Sequence, residues 1–154
     1  MDRTRKAFLP PRWFIRAAWA IHRAIYRLSS GRMGLRRPTT TTYGTFRLDT
    51  IGRRTGAKRT AILGYFEDGP NIVTLAMNGW GEPEPAWWLN LQANPDAMIE
   101  LPEGWRPITA RAAMGDERAR LWSMMATVAP DLDGYATRRP KGTAVVVFEP
   151  RTSS

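Results

Sequence analysis

Cysteine is absent from the chain, and His22 is its only histidine. The first absence excludes a disulfide frame, a thiolate nucleophile and a cysteine-based metal site. The second leaves no histidine cluster for zinc, so no metal site is expected. It also removes a Ser-His-Asp triad unless His22 serves, and the helical N-terminal setting of His22 argues against that. A cysteine-free composition suits a reducing compartment, so a cytoplasmic location is the expectation. No apolar run reaches the roughly 20 residues that a membrane-spanning helix needs. The start of the chain also lacks a signal-peptide core with a small-residue cleavage site.

What is present fits one domain: 154 residues, 43% hydrophobic and 24% charged, an ordinary globular balance. The net charge of +9 is unevenly placed. Residues 1–38 hold ten basic residues and one acidic one, whereas residues 39–154 hold thirteen of each. The basicity is therefore an N-terminal appendage, residues 1–38, on a neutral domain, residues 39–150. Within the appendage, residues 12–28 read as an amphipathic helix. At about 100° per residue, Arg12, Arg16, Arg23 and Arg27 share a sector of roughly 60°, with Phe14, Ile21, Ile25 and Leu28 nearly opposite. Such a helix could pack its apolar face on the domain. It could equally lie on an anionic membrane surface, with the protein peripheral on the inner face of the plasma membrane. Nucleic acid is disfavoured as a partner, because the neutral remainder carries no recognisable nucleic-acid motif.

After a linker of Arg36-Arg37-Pro38 and Thr39–Thr42, the pattern turns to strands. Residues 45–51 alternate, with Phe46, Leu48 and Thr50 on one face and Arg47 and Asp49 on the other. Further strands are expected at 60–67, 71–77, 97–101, 106–114 and 143–149, the last apolar enough to be central. Short helices are expected at 86–93, stopped by Asn94-Pro95, and at 116–128, with Asp116 as candidate N-cap. Six strands with inserted helices suggest an antiparallel barrel or sandwich of α+β type.

The stretch TIGRRTGAKRT, residues 50–60, concentrates four cations between two apolar strands. Its glycine spacing matches neither a dinucleotide fingerprint nor a P-loop. Gly52 and Gly56 let the chain turn and bring backbone N–H groups close to a ligand. Arg53, Arg54 and Arg59 offer planar forks suited to phosphate or carboxylate, and Thr55 adds a hydroxyl. On the residues alone, an anion site and a solvated hairpin loop with incidental charge both stay open.

This loop, followed by Ala76-Met77-Asn78-Gly79-Trp80 and by the run Pro85, Trp87, Trp88, Leu89, Asn90, Leu91, Ala93, Asn94 and Pro95, resembles the deazaflavin (F420)-dependent nitroreductase family. The likeness covers roughly residues 20–150, including the Tyr-Arg-Leu-x-x-Gly-Arg lead-in at 26–32 and the closing Val147-Phe148-Glu149-Pro150. The resemblance implies a six-stranded antiparallel split β-barrel, the fold also used by FMN-binding oxidases. It implies coenzyme F420, a 5-deazaflavin with an anionic phospholactyl-polyglutamate tail, as cofactor. Carried over, Arg53, Arg54, Thr55, Gly56 and Arg59 would hold that tail. Met77, Asn78 and Gly79 would lie near the deazaflavin ring, and Trp87 and Asn90 would form the cofactor wall. Tyr135 matches a substrate-pocket aromatic; it would donate a proton or hydrogen bond to the acceptor, or else simply pack under a loop.

The chain departs from the family pattern where Met77 replaces a small hydroxyl residue and Trp80 a small residue. These changes imply a more apolar pocket and favour a bulky apolar acceptor, a quinone or an enone, over a nitro compound. The expected activity is hydride transfer from reduced F420 to such an acceptor. Two alternatives remain: a non-catalytic carrier of a fatty acyl or other anionic amphiphile on the same fold, and FMN in place of F420. The single phosphate of FMN would need fewer cations than the loop supplies. Trp80, Trp87, Trp88 and Trp105 could line the pocket or fill core. The oligomeric state is not legible.

Overall fold

The computed structural model describes Trp13, residues 35–81 and residues 83–152. The amphipathic helix expected over 12–28 therefore lies outside the described residues, apart from Trp13. Among the described residues six strands form a closed antiparallel barrel in the order β1-β2-β3-β6-β5-β4. They are β1 (Gly44–Ile51), β2 (Lys58–Asp68), β3 (Asn71–Leu75), β4 (Asp96–Leu101), β5 (Gly104–Ala112) and β6 (Val145–Pro150). The barrel closes where Leu48 of β1 faces Ile99 of β4. All six expected strands are present. The third and fifth end two residues sooner than alternation alone suggested, and the sixth begins two residues later.

Strand alternation produces the core. Phe46, Leu48 and Thr50 of β1 are buried, as their shared face requires. The barrel interior gathers Phe46, Leu48, Tyr65, Ile99, Ile108, Val146 and Phe148. Phe148 meets Phe46 edge-on at 5.6 Å between ring centroids, an arrangement favoured by the ring quadrupoles. β6 is buried on both faces. Val146 and Phe148 point into the barrel, while Val145 and Val147 join Val73, Leu121, Met125 and Leu132 in a second cluster outside it. That is why residues 144–148 form an unbroken apolar run rather than an alternating one.

Three helices serve these layers. α1 (Ala86–Ala93) lies between β3 and β4 and contributes Trp87, Trp88 and Leu91 to the barrel core. α2 (Gly115–Val128) places Leu121 and Met125 on the outer cluster. Its N-cap is Met114 rather than the expected Asp116, which sits with Glu117 in the first turn, where a negative charge still favours the helix dipole. α3 (Leu132–Ala136) is an element the sequence did not announce. Five residues containing a glycine carry too little periodicity to announce a helix. The expected linker is also more structured than composition suggested, since Arg36 bridges Thr45 beside β1.

Tyr65 fills the barrel from β2, and its ring needs the absence of a side chain at Gly44. A Cβ there would lie 2.6 Å from Tyr65 Cε1 and 2.6 Å from the Arg36 carbonyl oxygen. The Tyr65 hydroxyl is buried without a hydrogen-bond partner among the described residues. Burial, and then the charges of Glu103 and Glu67, push it up to about 12. The folded chain thus holds this proton more tightly than the unfolded one. Its contribution to stability is complete below pH 10 and is lost as pH rises from about 10 towards 12. Tyr65→Phe loses no hydrogen bond, so its stability at neutral pH should match or exceed wild type. Urea unfolding across that alkaline window should fall more steeply for wild type than for the variant.

Candidate functional site

One mouth of the barrel carries the β1–β2 loop, the end of β3, the start of β6 and helix α1. The loop is a defined turn. Gly52 N–H donates to the Ala57 carbonyl at 2.7 Å, and Gly56 N–H to the Gly52 carbonyl at 2.8 Å. Gly56 has φ of 73°, a backbone state that favours glycine. The Thr55 hydroxyl accepts the Ala57 N–H at 3.2 Å, so it braces the turn.

Helix α1 clamps this loop through one side chain. Asn90 is 3% exposed. Its Oδ1 accepts the Arg53 backbone N–H at 3.1 Å and the Arg53 guanidinium at 3.2 Å. Its Nδ2 donates to Thr50 Oγ1 at 3.2 Å. The geometry makes Asn90 a strut between helix, strand and loop, and Thr50 a partner that sequence reading counted only as core.

The loop's charge is largely uncompensated. Asp49 accepts Arg47 at 3.0 Å and the Thr60 hydroxyl at 2.8 Å, and lies 3.9 Å from Lys58. Arg53 meets only the neutral Asn90 amide, and Arg54 and Arg59 form no ion pair among the described residues. Three guanidinium groups, all exposed, therefore converge on one turn with no carboxylate to neutralise them. Arg59 folds back along the loop, its Nε 3.5 Å from where a Cβ of Gly52 would stand. An exposed positive cluster of this kind attracts and orients a multiply charged anion.

The β3 end forms the neighbouring wall. Asn78 and Gly81 close a tight turn, with Gly81 N–H donating to the Asn78 carbonyl at 2.9 Å. Both central residues have positive φ, Gly79 at 52° and Trp80 at 64°, as in a type I′ turn. Trp80 is the single non-glycine residue with positive φ among the described residues, a state that costs on the order of 1–3 kcal/mol. Its ring stacks on Tyr135 of α3 at 5.9 Å and 13°, and its N–H donates to Met77 Sδ at 3.4 Å. A stack of this kind returns about 0.5–1.5 kcal/mol.

Arg139, which sequence reading missed, ties this wall together. Its side chain is 1% exposed. It donates to the Ala76 carbonyl at 2.6 Å, the Thr143 hydroxyl at 3.0 Å and Glu84 at 3.1 Å. It thus joins the end of β3, the approach to β6 and the approach to α1. An arginine in a loop of mixed sequence gives no signal of burial, so no pattern could have singled it out.

The structure therefore brings Arg53, Arg54, Thr55, Gly56, Arg59 and Asn90 together. It sets Met77, Asn78 and Gly79 on the adjoining turn, with Tyr135 against Trp80. Trp87 is buried, 6.5 Å from Phe148 and 6.4 Å from Trp88. Trp105 leaves the tryptophan group altogether: it is half exposed on the outer barrel wall under the Arg47 guanidinium.

A family model described as F420H(2)-dependent quinone reductase matches residues 19–150. The chain is 33% identical over 134 residues to F420H(2)-dependent quinone reductase Rv1261c of Mycobacterium tuberculosis, covering 85% of this chain and 89% of that protein. A solved F420-H2 dependent reductase, FDR-A, superposes with a TM-score of 0.61 at 26% identity, covering 68% of this chain and 93% of that one. HutZ, a heme storage protein from Vibrio cholerae, shares the fold alone, with a TM-score of 0.54 at 12% identity and coverage of 85% and 90%.

Removing the Asn90 strut strands the Arg53 N–H and the Thr50 hydroxyl. Asn90→Ala should cost about 1–3 kcal/mol in urea unfolding. Arg54→Ala, which breaks no contact, should stay within about 0.5 kcal/mol of wild type in the same measurement.

Proposed function

The chain belongs to the F420H(2)-dependent quinone reductase family, and on that premise we propose that it binds reduced F420 and reduces a quinone. The observation that carries the reading is the set of three uncompensated guanidinium groups on a loop braced by a buried amide. The donor set fits the cofactor. A phospholactyl-polyglutamate tail brings several negative charges in a row, and Arg53, Arg54 and Arg59 offer planar forks to meet them. The Thr55 hydroxyl, held by Ala57 N–H, keeps its own proton to donate.

When bound, reduced F420 supplies a hydride, and the quinone takes it with one proton to become the quinol. The chain's part is to bind, orient and exclude water. Asn90 holds the loop at a set distance from α1, so the tail's anchor and the barrel mouth share one frame. The turn at Met77–Gly79 borders the ring end of the site, and its Met77 and Trp80 side chains make that end apolar and dry. The Tyr135 hydroxyl is the proposed hydrogen-bond donor to the acceptor oxygen. No helix among the described residues is long and apolar enough to cross a membrane. Contact with an anionic lipid surface remains a proposal for residues 12–28.

A fluorescence titration with F420 tests the reading. Arg54→Ala and Arg59→Ala should each weaken binding roughly tenfold, about 1.4 kcal/mol. Raising the salt from about 0.1 M to 1 M should weaken wild-type binding further, as the screening length shrinks to about 3 Å. Affinity that ignores both the arginines and the salt would mean that the tail lies elsewhere.

A further inference from the structure

We propose that Trp80 is a specificity-determining residue, holding with Tyr135 a flat aromatic wall that selects planar ring acceptors by stacking. The inference rests on the reading above, that this barrel mouth is the reaction site.

Three observations carry it. Trp80 occupies a left-handed backbone position, φ 64°, directly after Gly79 at 52°. That turn position suits glycine or asparagine, and a bulky aromatic there is an outlier. The indole packs partly against the outer apolar cluster, and it and Tyr135 are both only partly exposed, their rings nearly parallel at 13° and 5.9 Å. A parallel stack with exposed area presents a planar π-surface, onto which a third ring can extend. Finally, the turn is part of the same mouth as the cationic loop. Residues 83–85 lead from it into α1, whose Asn90 bonds the loop. Arg139 pins the carbonyl of Ala76 at the base of the turn. A strained backbone kept in a site, where glycine would be relaxed, indicates that the side chain is what the position retains.

The chemistry identifies the ligand class. An electron-rich indole over a phenol ring favours a flat, electron-poor, fused-ring acceptor over a single small ring, because contact area and quadrupole complementarity both grow with the stacked surface. Met77 and the partly buried apolar residues beneath Trp80 add no charge to this wall.

The test uses the full chain with F420H2 and two probes, menadione as fused-ring acceptor and 1,4-benzoquinone as single-ring acceptor. The ratio of kcat/KM for menadione over benzoquinone should fall roughly tenfold in Trp80→Gly, the scale of one aromatic stack. F420 affinity by fluorescence should stay within about twofold, because the loop is untouched. Trp80→Gly relaxes the turn while losing the stack and the packing on the outer cluster, so its melting temperature is compared with that of Trp80→Ala, which loses the same contacts. Trp80→Ala, which keeps the strain and loses the stack, should melt below Trp80→Gly with the same loss of ratio. Tyr135→Phe, which keeps the ring but loses the proposed hydroxyl donor, should lower turnover with both acceptors and hold the wild-type ratio, and Tyr135→Leu should not hold it. An unchanged ratio in Trp80→Gly, with F420 binding and turnover intact, overturns the wall while leaving the functional reading in place. Equal melting of the Gly and Ala variants overturns the strain. A wild-type chain that does not bind F420 overturns the functional reading and the wall with it.

Discussion

The Asn90 side chain lies buried where helix α1, strand β1 and the cationic loop meet, its oxygen taking two N–H groups from Arg53 and its amide nitrogen giving one to Thr50. An amide placed there has little freedom to fail. A buried polar group left without partners costs more than a satisfied one contributes, so the three segments must stay in register for Asn90 to be satisfied at all. The loop's arginines gain their positions from this constraint. Exposed guanidinium groups on a free loop would sample many directions, whereas a loop fixed at Arg53 aims its neighbours from one anchored point.

A second clamp acts on the other side of the mouth. Arg139 is a buried cation whose partners include two neutral oxygens and one half-exposed carboxylate. Hydrogen bonds around a buried charge are stronger than those between neutral groups, and they fix the end of β3 relative to the segment entering β6. Between the two clamps lies the Asn78–Gly81 turn. Its strain at Trp80 is tolerated because the flanking geometry is determined from both sides. Rigid barrel strands, two buried polar clamps and one strained turn thus divide the work: the strands hold the frame, the clamps hold the loops, and the turn presents the aromatic face.

Charge is arranged with the same economy. Asp49 takes up Arg47 and stands near Lys58, which leaves the three loop arginines as the net field of the mouth. Elsewhere, Arg111 joins Glu117 and Glu149, and Arg120 joins Asp68 at 2.9 Å, an ion pair that holds the Asp68 carboxyl below its ordinary range. Arg37, Arg139 and Arg151 pair with carboxylates as well. Arg53, Arg54 and Arg59 do not among the described residues, which leaves the loop a concentrated positive surface.

Much of this was legible before any coordinates. Strand alternation at Phe46, Leu48 and Thr50 marked the inward face, since a period of two can bury only one side. The strand expected at 143–149 was apolar enough to be read as central. The crowding of arginines around two glycines left an anion site and a solvated loop both open, and the spaced motifs around it marked the family. What sequence could not reveal depended on partners far along the chain. The resemblance set Asn90 in the cofactor wall, but its role as a strut against Arg53, 37 residues away in sequence, came only with folding. Arg139 reads as surface charge until Ala76, 63 residues earlier, offers its carbonyl. Trp80 and Trp105 look alike in sequence, yet one stacks in the mouth and the other lies on the outer wall. Local chemistry determined which elements form and which loop is charged. Only the closure of the barrel decided which side chains meet, because contacts between distant residues follow from strand register and not from neighbours in the chain.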